Sequence, residues 1–378
     1  MRNKISIILG ALAIIMAGCS KDASYAPESP DPDAWMYDVT LPVPVRFSAG
    51  NLTRSAIDSE NDLKDKRFAF FAVDKHPDSL YTAPIDIAFP DNAKAKCYEE
   101  DGTMKFSFQT NAATPQNAKY YYPMQTTEAY SFYGYYCEEE AKNSSYSKPE
   151  FHRTDDSLYV DIAVGTESDI LCGKAEADST VEQTSGIRGF NAKYLRKNPG
   201  DSPVLQFEHP ASCVAIRLIL VQSNGANTDG VTLASAHLDS IPARARLCLA
   251  HRLDKTHEGC FVRPVGNVEN VLIGSGMALA FGGSENTLSL PERFIMPQTT
   301  PLNLRLGFNM GTAVEYVSYK IDPASLGLSN GFERGVRYTL NIKVYSPVRV
   351  DIEAKVKPYE DAFSGNGKEF DPDTNTWN

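Results

Sequence analysis

Hydrophobic and polar residues alternate most regularly in two segments near the end of the chain. In residues 338–344 and 348–357 every second residue is apolar, and the residues between are polar or charged. A period of two places one face of a β-strand in a core and the other in water. Shorter strand-like runs, separated by Gly, Pro, Asn and Asp, lie at residues 67–73, 104–108, 120–124, 130–136, 158–162, 204–207, 213–220, 271–273, 302–308 and 313–321. Long helical periodicity is missing from the sequence, so the pattern predicts an all-β protein.

The length of the chain predicts more than one domain. It has 378 residues, which exceeds what one β-sandwich needs. A weakly patterned stretch at 176–201, rich in Ser, Thr, Gly and charge, predicts a boundary near residue 195. We therefore predict two β-sandwich domains in tandem, at 38–195 and 196–358, followed by a polar tail at 359–378.

The first residues have the features of an export signal. Residues 1–19 begin with positive charges and continue with an apolar run too short to span a bilayer. The run ends in Met16-Ala17-Gly18-Cys19, which resembles the lipobox of bacterial lipoproteins and predicts lipidation of Cys19. The alternative is an ordinary signal peptide that is cut nearby. Residues 20–37 are polar and proline-containing, which predicts a flexible spacer.

Composition and motifs argue against several functional classes. The formal net charge is −11 and no long basic run is present, so a nucleic-acid partner is not expected. Hydrolase, zinc-protease, Walker and dinucleotide motifs are missing, so neither an enzyme nor a cofactor is expected. The nearest approach to a metal cluster is Cys248, His251, His257 and Cys260, but its spacing is not a familiar zinc pattern, and we interpret these as loop residues.

Six phrases, in order, give the chain a resemblance to the FimA/Mfa-like fimbrillins, the fimbrial subunits of Bacteroidales. Each phrase alone is weak, but the series covers almost the whole predicted mature chain. The phrases lie at residues 45–54, 121–124 with 130–135, 169–175, 207–211, 294–298 and 335–340. The phrase at 169–175 departs from the family in Cys172, where an aromatic residue is commoner.

This resemblance implies a fold and a mechanism of assembly. It implies an outer-membrane lipoprotein precursor with two transthyretin-like β-sandwich domains. The first strand of the precursor occupies a groove in the N-terminal domain until an arginine-specific protease removes it. A C-terminal strand from another subunit then takes its place. By position, the bond after Arg54 is the first candidate for cleavage and the bond after Arg46 the second. The alternative for Arg54 is a solvated surface arginine.

The residues themselves supply two strands suited to such an exchange. Each carries five apolar residues at a period of two, which could fill one hydrophobic groove. The displaced set is Val39, Leu41, Val43, Val45 and Phe47, and the incoming set is Val348, Val350, Ile352, Ala354 and Val356. Pro42 and Pro44 remove two N–H donors from one edge of the first strand, whereas 348–357 is free of proline. The alternative is that 348–357 is simply the last strand of its own domain.

The resulting expectation is a structural subunit of surface fimbriae, as stalk, tip or anchor. Its partners would be other fimbrial subunits, the lipid of the outer membrane, and a host or bacterial surface ligand. The alternative function is a carbohydrate-binding surface lipoprotein of a glycan-uptake system, with tyrosines between 120 and 136 as platforms. Both tryptophans, Trp35 and Trp377, lie outside the predicted domains.

Overall fold

A computed structural model represents the protein, and it describes residues 43, 45–49, 63–74, 93–108, 120–122, 129–138, 150–154, 156–177, 179–185, 189–221, 230–251, 255–281, 286–309, 311, 313–345, 349–358, 370–371 and 376–377. The described residues are mostly β, as predicted. The strands, in chain order, are β1 (Phe47–Ala49), β2 (Arg67–Asp74), β3 (Ala93–Glu100), β4 (Thr103–Phe108), β5 (Tyr130–Cys137), β6 (Glu150–Arg153), β7 (Ser157–Ala163), β8 (Ile170–Ala175), β9 (Val204–Glu208), β10 (Ser212–Val221), β11 (Thr232–His251), β12 (Cys260–Ala278), β13 (Asn286–Ser289), β14 (Arg293–Ile295), β15 (Leu302–Asn309), β16 (Val314–Ile321), β17 (Val336–Tyr345), β18 (Arg349–Pro358), β19 (Phe370–Asp371) and β20 (Thr376–Trp377). Two short α-helices, α1 (Ser179–Ser185) and α2 (Ala192–Lys197), and two 3-10 turns at Lys255–His257 and Ala324–Leu326 complete the described elements.

The first half of the chain forms a closed barrel in the order β1-β4-β3-β2-β5-β8-β9. All neighbouring pairs are antiparallel except β1 and β9, which pair in parallel and close the ring. The interior is filled largely by aromatic rings, among them Phe68, Phe70, Phe106, Phe132 and Phe207. Phenylalanine suits this place because it buries much apolar area on a pleated surface.

Strands β2 and β5 are buried on both faces, and this explains why their sequences lack alternation. In β2, Phe68 and Phe70 lie in the barrel interior, whereas Phe71 and Val73 lie in a second cluster outside the barrel. All eight residues of β5 are buried. A strand covered on both sides needs a continuous apolar run, which both sequences provide.

In the described part of the second half, two sheets pack around their own core, and β19 and β20 form a separate two-stranded sheet. One has the order β13-β10-β17-β18, with β14 pairing β10, and the other has the order β16-β15-β11-β7-β6, with β12 pairing β11. Leu340 and Ile342 from the first sheet and Leu304 and Leu306 from the second are fully buried in this core. The alternation predicted at 338–344 is confirmed, because Tyr338, Leu340, Ile342 and Val344 are all buried.

The two halves exchange strands across the predicted boundary at residue 195. Strand β9 follows that boundary but pairs with β8 and β1 in the barrel. Strands β6 and β7 precede it but extend the six-stranded sheet of the second half through β11. The long β11 therefore contacts both halves. On the outer face of the barrel, Phe71 and Tyr135 lie in one buried cluster with Leu247 of β11. A single boundary residue therefore does not separate the strands of one half from those of the other.

The stretch at 176–201 is more ordered than its composition indicates. It carries α1 and α2, and the side chain of Asn191 caps α2 by accepting a hydrogen bond from the backbone N–H of Tyr194 at 2.9 Å. Tyr194 and Leu195 are buried against the barrel interior. The expectation of a weakly structured segment is therefore wrong here, because a short capped helix needs only a few apolar residues facing a core.

A buried contact between a histidine and an aspartate joins two phrases of the family resemblance. His209, from the phrase at 207–211, places Nδ1 3.1 Å from Oδ1 of Asp169, from the phrase at 169–175. Both side chains are almost fully buried. The same Asp169 oxygen accepts a hydrogen bond from the backbone N–H of Ile170 at 2.7 Å. Two distant segments are thereby fixed where the barrel meets the second half.

Candidate functional site

The candidate site is the position of residues 43–49 in the barrel wall, which we call the first-strand seat. The backbone N–H of Val45 donates to the carbonyl of Tyr120 at 2.7 Å, and the N–H of Tyr122 donates to the carbonyl of Val43 at 2.9 Å. Further along, β1 lies between β4 and β9, with Ser48 opposite both Lys105 and Val204. The first described segment of the chain therefore completes the barrel by pairing on both sides.

Phe47 anchors this segment in the interior. Its exposed fraction is 2%, and its ring centroid lies 4.7 Å from that of Phe132, 5.1 Å from that of Phe70 and 5.6 Å from that of Phe108. The Phe70 ring is stacked and the other two meet it edge-on, which are the favoured geometries for aromatic pairs. Three rings thus form a pocket that one extended strand fills with one side chain.

Val45 and Val43 continue the apolar face of the segment. Val45 is buried, and Val43 is half-buried against the same interior cluster. In the two hydrogen bonds to 120–122, Val45 donates its backbone N–H and Val43 accepts through its carbonyl. The prolines expected to weaken the other edge, Pro42 and Pro44, lie outside the described residues, as do Val39 and Leu41.

The walls of the seat have low polarity. Burial raises the pKa of the Tyr122 phenol well above its ordinary value, and it also raises that of Tyr120. The Tyr122 hydroxyl has no hydrogen-bond partner within the described part of the chain. A seat of this kind binds apolar side chains through burial and a peptide backbone through strand pairing.

Arg46 is the one processing candidate that the structure describes. Its side chain is exposed, but its neighbours Val45 and Phe47 are both buried in the seat. A protease would have to lift the strand to reach the Arg46–Phe47 bond. Arg54 and the predicted lipidation site Cys19 both lie outside the described residues. The processing and lipidation sites stay predictions.

The predicted incoming strand lies in its own half as the end strand of a sheet. Strand β18 pairs with β17 over ten residues and has no other partner among the described strands of that sheet. The register sets Val350, Ile352, Ala354 and Val356 opposite the buried β17 residues Val344, Ile342, Leu340 and Tyr338. Val348 lies outside the described residues. The described parts of the two predicted strands therefore lie in different sheets and are not paired with each other.

The Cys/His residues weighed as a metal cluster gather near one hairpin. Cys248 and Cys260 are opposite each other in the β11–β12 ladder, and the rings of His251 and His257 are 6.5 Å apart. Within the described ranges, no group of three or more His, Cys, Asp or Glu side chains has the arrangement of a metal site. None of the helices in those ranges is long and apolar enough to cross a membrane.

Sequence reasoning predicted a groove but missed the residues that line it. The strands that flank the seat are β4 and β9. Their buried residues in the same cluster include Phe106, Phe108 and Leu205. The Phe-x-Phe spacing at 68–70 and 106–108 signals strands with an aromatic face. Nothing in the sequence shows that β4 and β9 meet on either side of β1, because these contacts join residues that are far apart in the chain.

Comparison with known proteins gives several solved structures that match over most of the chain. A protein from Bacteroides uniformis, described as a candidate cell adhesion protein, is 14% identical, with a TM-score of 0.47, and the match covers 84% of this chain and 98% of that one. A fimbrial assembly protein from Parabacteroides distasonis is 12% identical, with a TM-score of 0.41 and coverage of 85% and 97%. The fimbrial anchor protein Mfa2 from Porphyromonas gingivalis is 9% identical, with a TM-score of 0.37 and coverage of 84% and 99%. No protein-family model and no curated protein matches the sequence.

These structural neighbours are described as cell adhesion and fimbrial proteins of Bacteroidales.

Proposed function

We propose that the protein is a non-catalytic subunit of bacterial surface fimbriae that assembles by strand exchange at the first-strand seat. In this proposal it is exported as an outer-membrane lipoprotein with Cys19 as the lipidated residue. Its two halves correspond to two transthyretin-like domains that share strands, with the closed barrel as the first. Its partners are other fimbrial subunits, and the assembled fimbria carries the adhesive function.

One observation carries the proposal. The barrel is closed by a segment close to the N-terminus, three residues of which insert into an aromatic interior, with Phe47 buried to 2% exposure. Removal of that segment would leave a slot between β4 and β9 with unpaired backbone on both sides. A second extended strand with apolar residues at a period of two would restore the core and the ladder together.

The proposed occupant of the emptied slot is residues 348–357 of another subunit. Among the described strands of its sheet this segment pairs with β17 alone, over ten residues. In the slot it would exchange that one partner for pairing on two sides, with β4 and β9. The gain in hydrogen bonds and burial between these two states is the proposed driving force for assembly.

A disulfide lock across β1 and β4 tests the exchange. Ser48 and Lys105 are Cα partners in an antiparallel pair, so cysteines at both positions can be bridged. We expect Ser48→Cys with Lys105→Cys to abolish SDS-resistant multimers on cells and a reducing agent to restore them. The matched control is Lys96→Cys with Ser107→Cys, which joins β3 to β4 and leaves β1 free.

Multimers that persist under the β1–β4 lock, with the bond verified by mass spectrometry, would overturn exchange at this seat. Mapping the mature N-terminus on the same cells separates the roles. A chain that begins at lipidated Cys19 is an anchor or precursor, and one that begins at Ser55 has been cut after Arg54.

A further inference from the structure

The six-stranded sheet has an outer face whose composition differs from that of its inner face. On β15, Leu304, Leu306 and Phe308 point into the second core and are fully buried. The residues between them, Asn303, Arg305 and Asn309, are exposed or half-buried on the other side. Strands β11 and β16 follow the same division, so a polar surface crosses three strands.

One exposed aromatic ring lies on this surface, on the end strand β16. Tyr316 on β16 is opposite Gly307 on β15, and it is 59% exposed. A Cβ atom at Gly307 would lie 2.8 Å from Cε1 and 3.1 Å from Cδ1 of that ring. The ring therefore rests on the backbone of the glycine, in space that any side chain would fill. The guanidinium of Arg305 lies over the ring, and the side chain as a whole stays largely exposed.

A charged pair with fixed geometry lies beside the ring. Nε of Arg305 donates to Oδ2 of Asp239 at 2.8 Å, and Nη2 donates to Oδ1 at 3.1 Å. The guanidinium carbon is 5.7 Å from the centre of the Tyr316 ring. The bidentate pair holds both groups in place, while side-chain exposures of 30% and 23% leave them accessible to a ligand.

Hydroxyl and imidazole groups complete the surface around the ring. In the strand ladder, Ser235 is opposite Gly307, and Arg305 is opposite both His237 and Ser318. These side chains can both donate and accept hydrogen bonds. We call the set Ser235, His237, Asp239, Arg305, Tyr316 and Ser318, with Gly307 beneath, the Tyr316 platform.

We propose that the Tyr316 platform binds a neutral glycan. A pyranose ring has one apolar C–H face and a rim of hydroxyl groups. The exposed part of the Tyr316 ring matches the first, and the Arg305–Asp239 pair with its neighbouring hydroxyls matches the second. Because the charges of Arg305 and Asp239 cancel, the platform does not favour a polyanion.

The composition of the platform also separates a glycan from a protein partner. Stable protein interfaces have apolar centres built from several anchors. Here a single ring stands among hydroxyl, imidazole and paired charged groups, a composition that fits a polar ligand with one apolar face. This site lies on the second half of the molecule, away from the first-strand seat, so the proposal does not rest on strand exchange.

The test is binding of the intact chain to immobilised neutral oligosaccharides, with α-mannan, β-glucan, xylan, galactan and neutral mucin O-glycans as probes. We expect at least one to bind with a dissociation constant between micromolar and millimolar. Tyr316→Ala is expected to weaken that binding at least tenfold, and Tyr316→Phe to keep it within about threefold. The matched control is Tyr98→Ala, which removes a half-buried tyrosine from the barrel surface.

A second variant tests the position of the Tyr316 ring without removing the ring. Gly307→Ala places a methyl group where Tyr316 rests and is expected to weaken binding severalfold by tilting the ring, with thermal unfolding recorded to confirm the fold. Arg305→Lys keeps the charge but loses the bidentate geometry and is expected to weaken binding in the same way. Failure to bind any of the probes at millimolar concentration would overturn the proposal. So would binding that Tyr316→Ala leaves unchanged, or self-association of the chain at this face in place of glycan binding.

Discussion

The β-strands of two regions of the molecule differ in how many of their faces are buried. In the barrel, β2 and β5 are covered on both faces, and Phe70 on one side and Phe71 on the other are both buried. In the six-stranded sheet, β15 buries Leu304 and Leu306 on one face and presents Arg305 on the other. Burial of apolar side chains on both faces of these strands stabilises the barrel. In the sheet, one face of each strand lies in a core and the other forms a polar surface.

This difference predicts which substitutions in each region lower the free energy of unfolding most. In the barrel, a lost side chain leaves a cavity, because neighbouring rings are fixed from both sides. On the outer face of the sheet, a lost side chain is replaced by water unless it belongs to a buried polar network. The following substitutions should show that order, from the barrel interior to the exposed platform.

The largest effect is expected at the first strand. Phe47→Ala removes a ring that contacts Phe70, Phe108 and Phe132. We expect the free energy of unfolding to fall by about 3–5 kcal/mol, because a buried phenylalanine is replaced by a cavity. Chemical denaturation followed by circular dichroism measures this change.

The neighbouring Arg46→Ala is the matched control. Arg46 is exposed in the same segment, and a surface substitution of this kind changes stability by about 0.5 kcal/mol or less. Equal effects of the two variants would contradict the placement of β1 in the barrel interior.

An intermediate effect is expected where the polar side of the sheet is buried. Asp161 on β7 has a side-chain exposure of only 2%, and it accepts hydrogen bonds from Nε of Arg246 at 2.7 Å and from Nη2 at 2.8 Å. His152 Nε2 lies 2.9 Å from the same carboxylate. We expect Asp161→Asn to lower the free energy of unfolding at neutral pH by about 2–3 kcal/mol, because charge-assisted hydrogen bonds are lost. Urea denaturation of both proteins measures the difference.

The same variant predicts a pH dependence. Burial of Asp161 acts to raise its pKa, but the hydrogen bonds and charges of Arg246 and His152 outweigh burial and hold the pKa below its ordinary value. A depressed pKa in the folded state stabilises the protein above the pKa of the unfolded chain, which is about 3.9. This contribution is lost as the pH falls through the folded value, so the gap between wild type and Asp161→Asn should narrow below about pH 4. A gap that widens towards acid would contradict the assignment.

The class of fold could be predicted because it depends on local alternation. The regular pattern at 338–344 became β17, with Leu340 and Ile342 buried as expected. The apolar runs at 67–73 and 130–136 became β2 and β5. Period and composition are properties of neighbouring residues, so they can be read without knowledge of the partner strands.

The longest strand, β11, was missed for a physical reason. Its ladder with β12 changes register at four places, between residues 236 and 237, 238 and 241, 242 and 244, and 246 and 247. Between 238 and 241 the extra residue lies on β11, so Leu238 and Ile241 are both buried although they are three residues apart, and the period of two is broken. Pro242 and the charged residues Arg244 and Arg246 also make this sequence untypical of a strand. The pairing of β7 with β11 and of β9 with β1 joins distant residues and leaves no local signal.

The candidate sites show the same division between local and distant information. The apolar face of Val43, Val45 and Phe47 was visible in the sequence, but the aromatic walls around it were not. Tyr316 was one of 19 tyrosines. Only the pairing of β15 with β16 sets Tyr316 above Gly307, and only the pairing of β11 with β15 brings Asp239 to Arg305.

The smallest effect on stability is expected at the platform. Tyr316→Ala removes a ring that is 59% exposed and rests on a glycine, so little apolar area returns to water. We expect the free energy of unfolding to change by about 1 kcal/mol or less, mainly because alanine has a lower strand propensity than tyrosine. A loss as large as that of Phe47→Ala, measured in the same urea titration, would mean that the ring holds the sheet together. A small loss, combined with weakened glycan binding, would mean that the outer face keeps an exposed aromatic ring for a ligand and not for folding.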